Sequence, residues 1–183
     1  MMQKILFLFG ELNDDDIDWI IASGMIENIA AETVLIQEGN PSDYLYILLE
    51  GEVIVSVNVL ENAKEIATLG TGEVFGEMSF LDGRPPSATV ETIQNSLVLS
   101  LPRSLLASRL SQDIGFAARF NRAIALFLSS RLRIALTELD FGKDFVHPDE
   151  ELSPVVLENL PLARARFDWL LKRIKNSAHL ENL

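Results

Sequence analysis

Between residues 25 and 101 the chain is written in short runs with a two-residue period. Segments 32–37 (ETVLIQ), 44–49 (YLYILL) and 52–59 (EVIVSVNV) are rich in β-branched or aromatic residues. Alternation of this kind puts successive side chains on opposite faces of an extended backbone, so the runs predict strands. Between them lie 38–43 (EGNPSD), 50–51 (EG) and 61–64 (ENAK), clusters whose Gly, Pro, Asn and Asp supply turn angles. Further runs at 65–69, 87–91 and 97–101 make six, and with the period already two from residue 25 and the stretch that follows Leu69 the expected total is roughly eight strands, the number of an antiparallel jelly roll. With 183 residues and 48% hydrophobic content, the chain can build one core and a small appendage rather than two full domains.

Small residues cluster most tightly at 69–90 (LGTGEVFGEMSFLDGRPPSATV). There Gly70, Gly72 and Gly76 remove bulk around one carboxylate, Glu77, while Ser79, Ser87 and Thr89 add hydroxyls. Two readings fit these residues: a cradle for an anion or nucleotide, or a Gly-rich corner between strands. Val74, Phe75 and the segment 78–81 (MSFL) are dense enough in apolar residues for one helical turn after Gly76. The free N–H groups of such a turn aim at whatever Glu77 and Ser87 surround.

Helical signals flank the strands. Asn13 followed by Asp14, Asp15 and Asp16 predicts an N-cap and an acidic first turn, leading through Ile17, Trp19, Ile20 and Ile21 to a stop at Gly24. Pro102 opens a helical regime at a position where its missing N–H costs nothing. A short helix runs through Leu105, Leu106 and Leu110, and a longer one is expected over 113–139. In the longer helix Phe116, Phe120, Ile124, Phe127, Ala135 and Leu139 track one face. At 1.5 Å per residue it is about 40 Å long, more than a small barrel needs for cover, and a second copy of the chain is the simplest partner for the excess. Segment 143–151 reads as a polar hinge. Ser153-Pro154 then caps a short helix ending before Pro161, and a last helix carries Ala163, Phe167, Leu170, Leu171, Ile174 and Ala178 on one stripe. Its Arg164, Arg166, Lys172, Arg173 and Lys175 form a solvated basic face answering an acidic body.

Composition removes several function classes. A formal charge of -12 gives no global support for binding a phosphate backbone, so DNA is a poor partner. The absence of Cys excludes disulfides, thiolate metal sites and thiol nucleophiles. His147 and His179 are the only histidines and neither lies in a strand, which sets a metal enzyme of the cupin type far behind. The apolar run at 5–9 is cut by Gly10 and acids, too short for a secretory or membrane-spanning segment. The expectation is a soluble cytoplasmic protein with no membrane partner.

Three segments taken together resemble the cyclic-nucleotide-binding domain of the catabolite-activator and FNR-like superfamily: 38–53 (EGNPSDYLYILLEGEV), 69–81 (LGTGEVFGEMSFL) and 87–90 (SATV). The resemblance covers residues 7 to about 140. It implies a β-roll, a phosphate-binding cassette centred on Gly76 and Glu77, and a long helix that closes over the ligand and pairs subunits. By the same resemblance Glu77 holds a ribose 2′-hydroxyl, the backbone from Gly76 through Met78 and Ser79 faces the phosphate, and Ser87, paired with Ala88, donates to it. Ser129 or Ser130 falls about where the long helix passes a base, although a small-residue packing surface is the plainer reading. One position departs from the pattern. Nucleotide-binding members carry Arg immediately before the Ser/Thr-Ala pair, and here that residue is Pro86. Arg84 stands two residues earlier, behind the stiff Pro85-Pro86 pair. Losing a charge-paired contact to a buried phosphate costs about 2–5 kcal/mol. Transcription factors of the superfamily continue into a winged helix-turn-helix, for which 141–183 is too short.

The expected protein is therefore mainly β with α: a β-roll and long helix over 1–140, then a helical appendage over 141–183. It acts as a non-catalytic regulatory module, a homodimer through 113–139. The resemblance raises cAMP and cGMP as candidate ligands, and the protein partner is not named by the sequence. A ligand-independent interaction scaffold is the alternative, with a cupin-type enzyme or a DNA-binding regulator more distant.

Overall fold

The computed structural model describes residues 5–60, 62–138 and 154–180. Its strands are β1 (Met25–Ile29), β2 (Val34–Ile36), β3 (Tyr44–Glu50), β4 (Glu52–Val59), β5 (Asn62–Gly70), β6 (Val74–Phe75), β7 (Thr89–Thr92) and β8 (Ser96–Pro102). They form two four-stranded antiparallel sheets, in the orders β1-β8-β3-β6 and β2-β7-β4-β5, which is the expected β-roll. The helices are α1 (Ile5–Glu11), α2 (Asp14–Ser23), α3 (Glu77–Asp82), α4 (Arg103–Gln112), α5 (Ile114–Glu138) and α6 (Pro154–Leu180). Two compact units result. One holds the roll with α2 to α4, through residue 113; the other holds residues 6–13 with α5 and α6.

In the roll, alternating side chains meet between the sheets: Ile36, Tyr46, Leu48, Val53, Leu69, Phe75, Val90 and Val98 form the core. Strand β3 is buried on both faces from Leu45 to Leu49, because its other side chains are covered too. That is why YLYILL reads as an unbroken apolar run instead of a clean alternation. Strand β5, at a sheet edge, is exposed through residues 62–66 and carries Lys64 and Glu65, charges that discourage edge pairing with another chain. The buried Tyr46 hydroxyl donates to the Leu35 carbonyl at 3.2 Å, and burial pushes its phenol above the ordinary value. Thr92 ties the connection between β1 and β2 to β7. Its hydroxyl donates to the Ala30 carbonyl at 2.6 Å and accepts the Thr33 N–H at 2.9 Å.

In the helical unit, the face of α5 expected to be apolar is buried at Phe116, Phe120, Ala123, Ile124 and Phe127. Phe127 meets Phe7 of α1 at 6.1 Å between ring centroids, and Phe9 meets Phe167 of α6 edge-on at 6.3 Å. Arg166 Nη1 donates to the carbonyls of Phe9 and Leu12 at 2.7 and 2.8 Å, a cation placed where α1 ends and its carbonyls lack helical partners.

Two local readings change. The run at 5–9 is a helix: Ile5 to Phe9 are all buried, and a helix covered on every side shows no amphipathic period to read. The expected break at Pro161 does not occur, since α6 is one helix of 27 residues with Pro161 inside it. A proline there forgoes the bond to the Leu157 carbonyl at a cost of about 3 kcal/mol. Burial of Val156 before it and of Ala163, Phe167 and Leu170 after it keeps the helix continuous. The hinge read at 143–151 lies outside the described residues, as do Leu139 and His147.

Candidate functional site

The stretch 69–90 folds as strand, sharp corner, short helix and loop. Strand β6 pairs with β3 through Tyr46↔Phe75 and Ile47↔Val74, and Phe75 stacks on Tyr46 at 5.3 Å. The chain then turns at Gly76, whose φ of 91° lies in the left-handed region. A Cβ added there would sit 3.0 Å from the Tyr44 carbonyl oxygen and 3.4 Å from Ile36 Cδ1. Glycine is needed for both the backbone angle and the close approach. Helix α3 follows, with the Phe80 N–H reaching the Gly76 carbonyl at 3.3 Å and the Gly83 N–H closing on the Ser79 carbonyl at 3.1 Å. The helical turn expected after Gly76 is thus present.

Each predicted residue can be placed. Glu77 and Ser79 are buried on α3, while Met78 is 50% exposed on its outer side. Pro86 is buried, Ser87 exposed and Ala88 half-buried, in the loop that leads into β7. The Pro86 carbonyl accepts the Gly39 N–H at 2.8 Å. Thr89 Oγ1 accepts from the Glu38 N–H and from Gln37 Nε2, both at 3.1 Å. These bonds fasten the loop between β2 and β3 to the end of the cassette. Arg84 points to solvent: its side chain is 84% exposed, 3.8 Å from Asp82. Ser129 and Ser130 lie on α5 in the helical unit, Ser129 exposed.

One residue at this site escaped the sequence reading. Arg103, the first residue of α4, donates through Nη1 to the Ser42 carbonyl at 2.8 Å and through Nη2 to the Ser79 carbonyl. Its only sequence signal is a basic residue directly after Pro102. A separate open cleft of about 470 Å³, flanked by Asn28, Glu50, Asn95 and Ser96, lies at the far end of β3. Seven strand residues put it about 20 Å from the cassette.

A family model for the cyclic nucleotide-binding domain matches residues 26–113. The roll belongs to the cyclic nucleotide-binding domain family. This is a family of regulatory modules, and the matched residues include the segment 69–90. A cGMP-dependent protein kinase of Toxoplasma gondii is 31% identical over 138 residues, covering 69% of this chain and 14% of the kinase. The crystal structure of the Thermus thermophilus catabolite activator protein matches with a TM-score of 0.63 at 27% identity, covering 73% of this chain and 62% of that one. A cyclic nucleotide-binding domain from Methylobacillus flagellatus matches with a TM-score of 0.67 over 79% of this chain and 85% of its own; at 23% identity this speaks for the fold alone. The chain spans about a third or less of the curated relatives it matches.

Proposed function

We propose that this chain is a non-catalytic, cytoplasmic regulatory module that binds a small ligand in the cassette and signals through α5 as a homodimer. The observation that carries the reading is the left-handed corner at Gly76, packed against Tyr44, which sets buried Glu77 and Ser79 at the start of α3. Gly76, Glu77, Met78, Ser79, Ser87 and Ala88 form the ligand-facing set, and Arg84 is the cation nearest in sequence to Pro86. cAMP and cGMP are the ligands to test. A ligand signals only by binding two arrangements of the module with different affinity.

The electrostatics make an anionic ligand demanding. Residues 1–5 and 14–113 hold 17 Asp and Glu against 5 Lys and Arg, which accounts for the whole net charge of -12. The same excess argues against DNA and against an anionic membrane surface. Buried Pro86 and exposed Arg84 favour a second reading, a ligand-independent scaffold for an unidentified protein partner. Titration calorimetry with cAMP and cGMP separates the two: binding in the micromolar range supports the sensor, and silence to millimolar concentration supports the scaffold.

The dimer reading rests on a second face of α5. Ile114, Ala118, Asn121, Ala125, Leu128 and Leu132 recur at alternating four- and three-residue spacing, and Ile114 and Leu132 are 86% and 62% exposed within one chain. Small residues allow close approach of helices, and one polar Asn in such a seam selects register in paired helices. Ala125→Glu is expected to weaken self-association about tenfold or more, through like charges facing across the seam. Sedimentation velocity reads the shift from a dimer to the 20.4 kDa monomer. A wild-type monomer at all concentrations overturns the dimer reading.

A further inference from the structure

Three segments of the roll meet at Arg103. Its backbone N–H donates to the Asp43 carbonyl at 2.9 Å, and its guanidinium reaches the carbonyls of Ser42 and Ser79. The guanidinium carbon also lies 5.7 Å from the centre of the Phe80 ring. The Ser79 carbonyl already accepts the N–H of Gly83, the C-cap of α3, at 3.1 Å, so the guanidinium is a second donor on that oxygen, on the C-terminal side of the helix where the dipole favours a cation. At its other end α3 is held by the β6 ladder and the packing of Gly76. Beyond α3, residues 83–85 are exposed, so the clamp by Arg103 acts where the cassette leaves the body of the roll.

We propose that Arg103 is the positioning residue of the cassette, pinning the end of α3 to the loop at Ser42 and to the start of α4. The clamp sets where Gly76, Glu77 and Ser79 stand toward a ligand, so its effect on binding rests on the cassette being the binding site. A planar fork that bonds two carbonyls while lying on an aromatic ring suits Arg and not Lys, whose ammonium is a point charge.

Amide hydrogen exchange on the unliganded full chain tests the clamp. Arg103→Lys and Arg103→Met are expected to speed exchange at the Phe80 and Gly83 amides about tenfold to hundredfold, the effect of losing charge-assisted hydrogen bonds. The Leu48 and Gly72 amides, bonded in the core at 2.8 and 2.7 Å, should change less than about twofold. Unchanged cassette exchange in both variants overturns the proposal. So does a uniform acceleration that includes the core, the mark of a residue that only supports the fold. In parallel, calorimetry should show cAMP affinity falling about tenfold in Arg103→Lys. A wild-type chain silent to cAMP refutes the cyclic nucleotide reading, and the exchange result still decides the role of Arg103.

Discussion

Pro86→Arg is expected to create or strengthen binding of cAMP or cGMP by about 30-fold to 4,000-fold, the equivalent of about 2–5 kcal/mol from pairing the phosphate with a guanidinium. The substitution keeps the backbone carbonyl that accepts the Gly39 N–H, so the fastening of the loop between β2 and β3 survives. It adds a fork-shaped cation directly before Ser87, in a unit whose surplus of acids otherwise repels a phosphate. Removing a proline also frees the unfolded chain, at a cost of up to about 1 kcal/mol, so thermal unfolding must accompany the calorimetry. The gain should shrink with added salt, because part of it is long-range attraction. A variant that stays folded and binds no better than the wild type refutes the account of Pro86 as the position of the missing charge.

Gly51→Ala is expected to destabilise the protein by about 4 kcal/mol, lowering the thermal midpoint by roughly 8–16 °C. Gly51 joins β3 to β4 with φ of 112°, a conformation that a side chain strains. An added Cβ would also meet Ser96 Cβ at 2.7 Å and Ser96 Cα at 2.8 Å. The second contact is with backbone in β8, a strand between β1 and β3 that cannot yield without shifting both ladders. Gly70→Ala is the control. Its added Cβ meets nothing within 4 Å, and it should leave the midpoint within about 2 °C. Equal effects for the two substitutions would mean that the β3–β4 corner is looser than the packing of Ser96 requires.

Much of the roll is legible in the sequence because its strands alternate and its corners are punctuated. The segments EGNPSD and EG end their runs within a residue or two of the observed strand ends, and the Asp14 to Asp16 run marks the start of α2. ENAK is shorter as a turn than its composition suggests, because Asn62, Ala63 and Lys64 already pair with β4 as the start of β5. Legibility fails where the period disappears. Helix α1 is buried all round and so has no polar face, and α6 runs through Pro161 because flanking apolar contacts outweigh one lost hydrogen bond. Strand β1 was hidden for a different reason: Met25 to Asn28 are exposed, so the pairing of the strand with β8 rather than the burial of its side chains makes it extended.

In the cassette, local sequence determines the corner. Gly76 and Glu77 specify the turn and carboxylate, and Pro86 removes the expected cation by identity alone, since no arrangement of neighbours gives proline a charge. Tertiary structure decided what lies around them. It turned Arg84 to solvent, buried Pro86 beneath the loop it fastens, and brought Arg103 across 24 residues of chain to the Ser79 carbonyl. The physical reason is that turns and charges are properties of a few consecutive residues, whereas a guanidinium bridging two carbonyls exists only when the ladder between β3 and β8 places Tyr44 opposite Pro102.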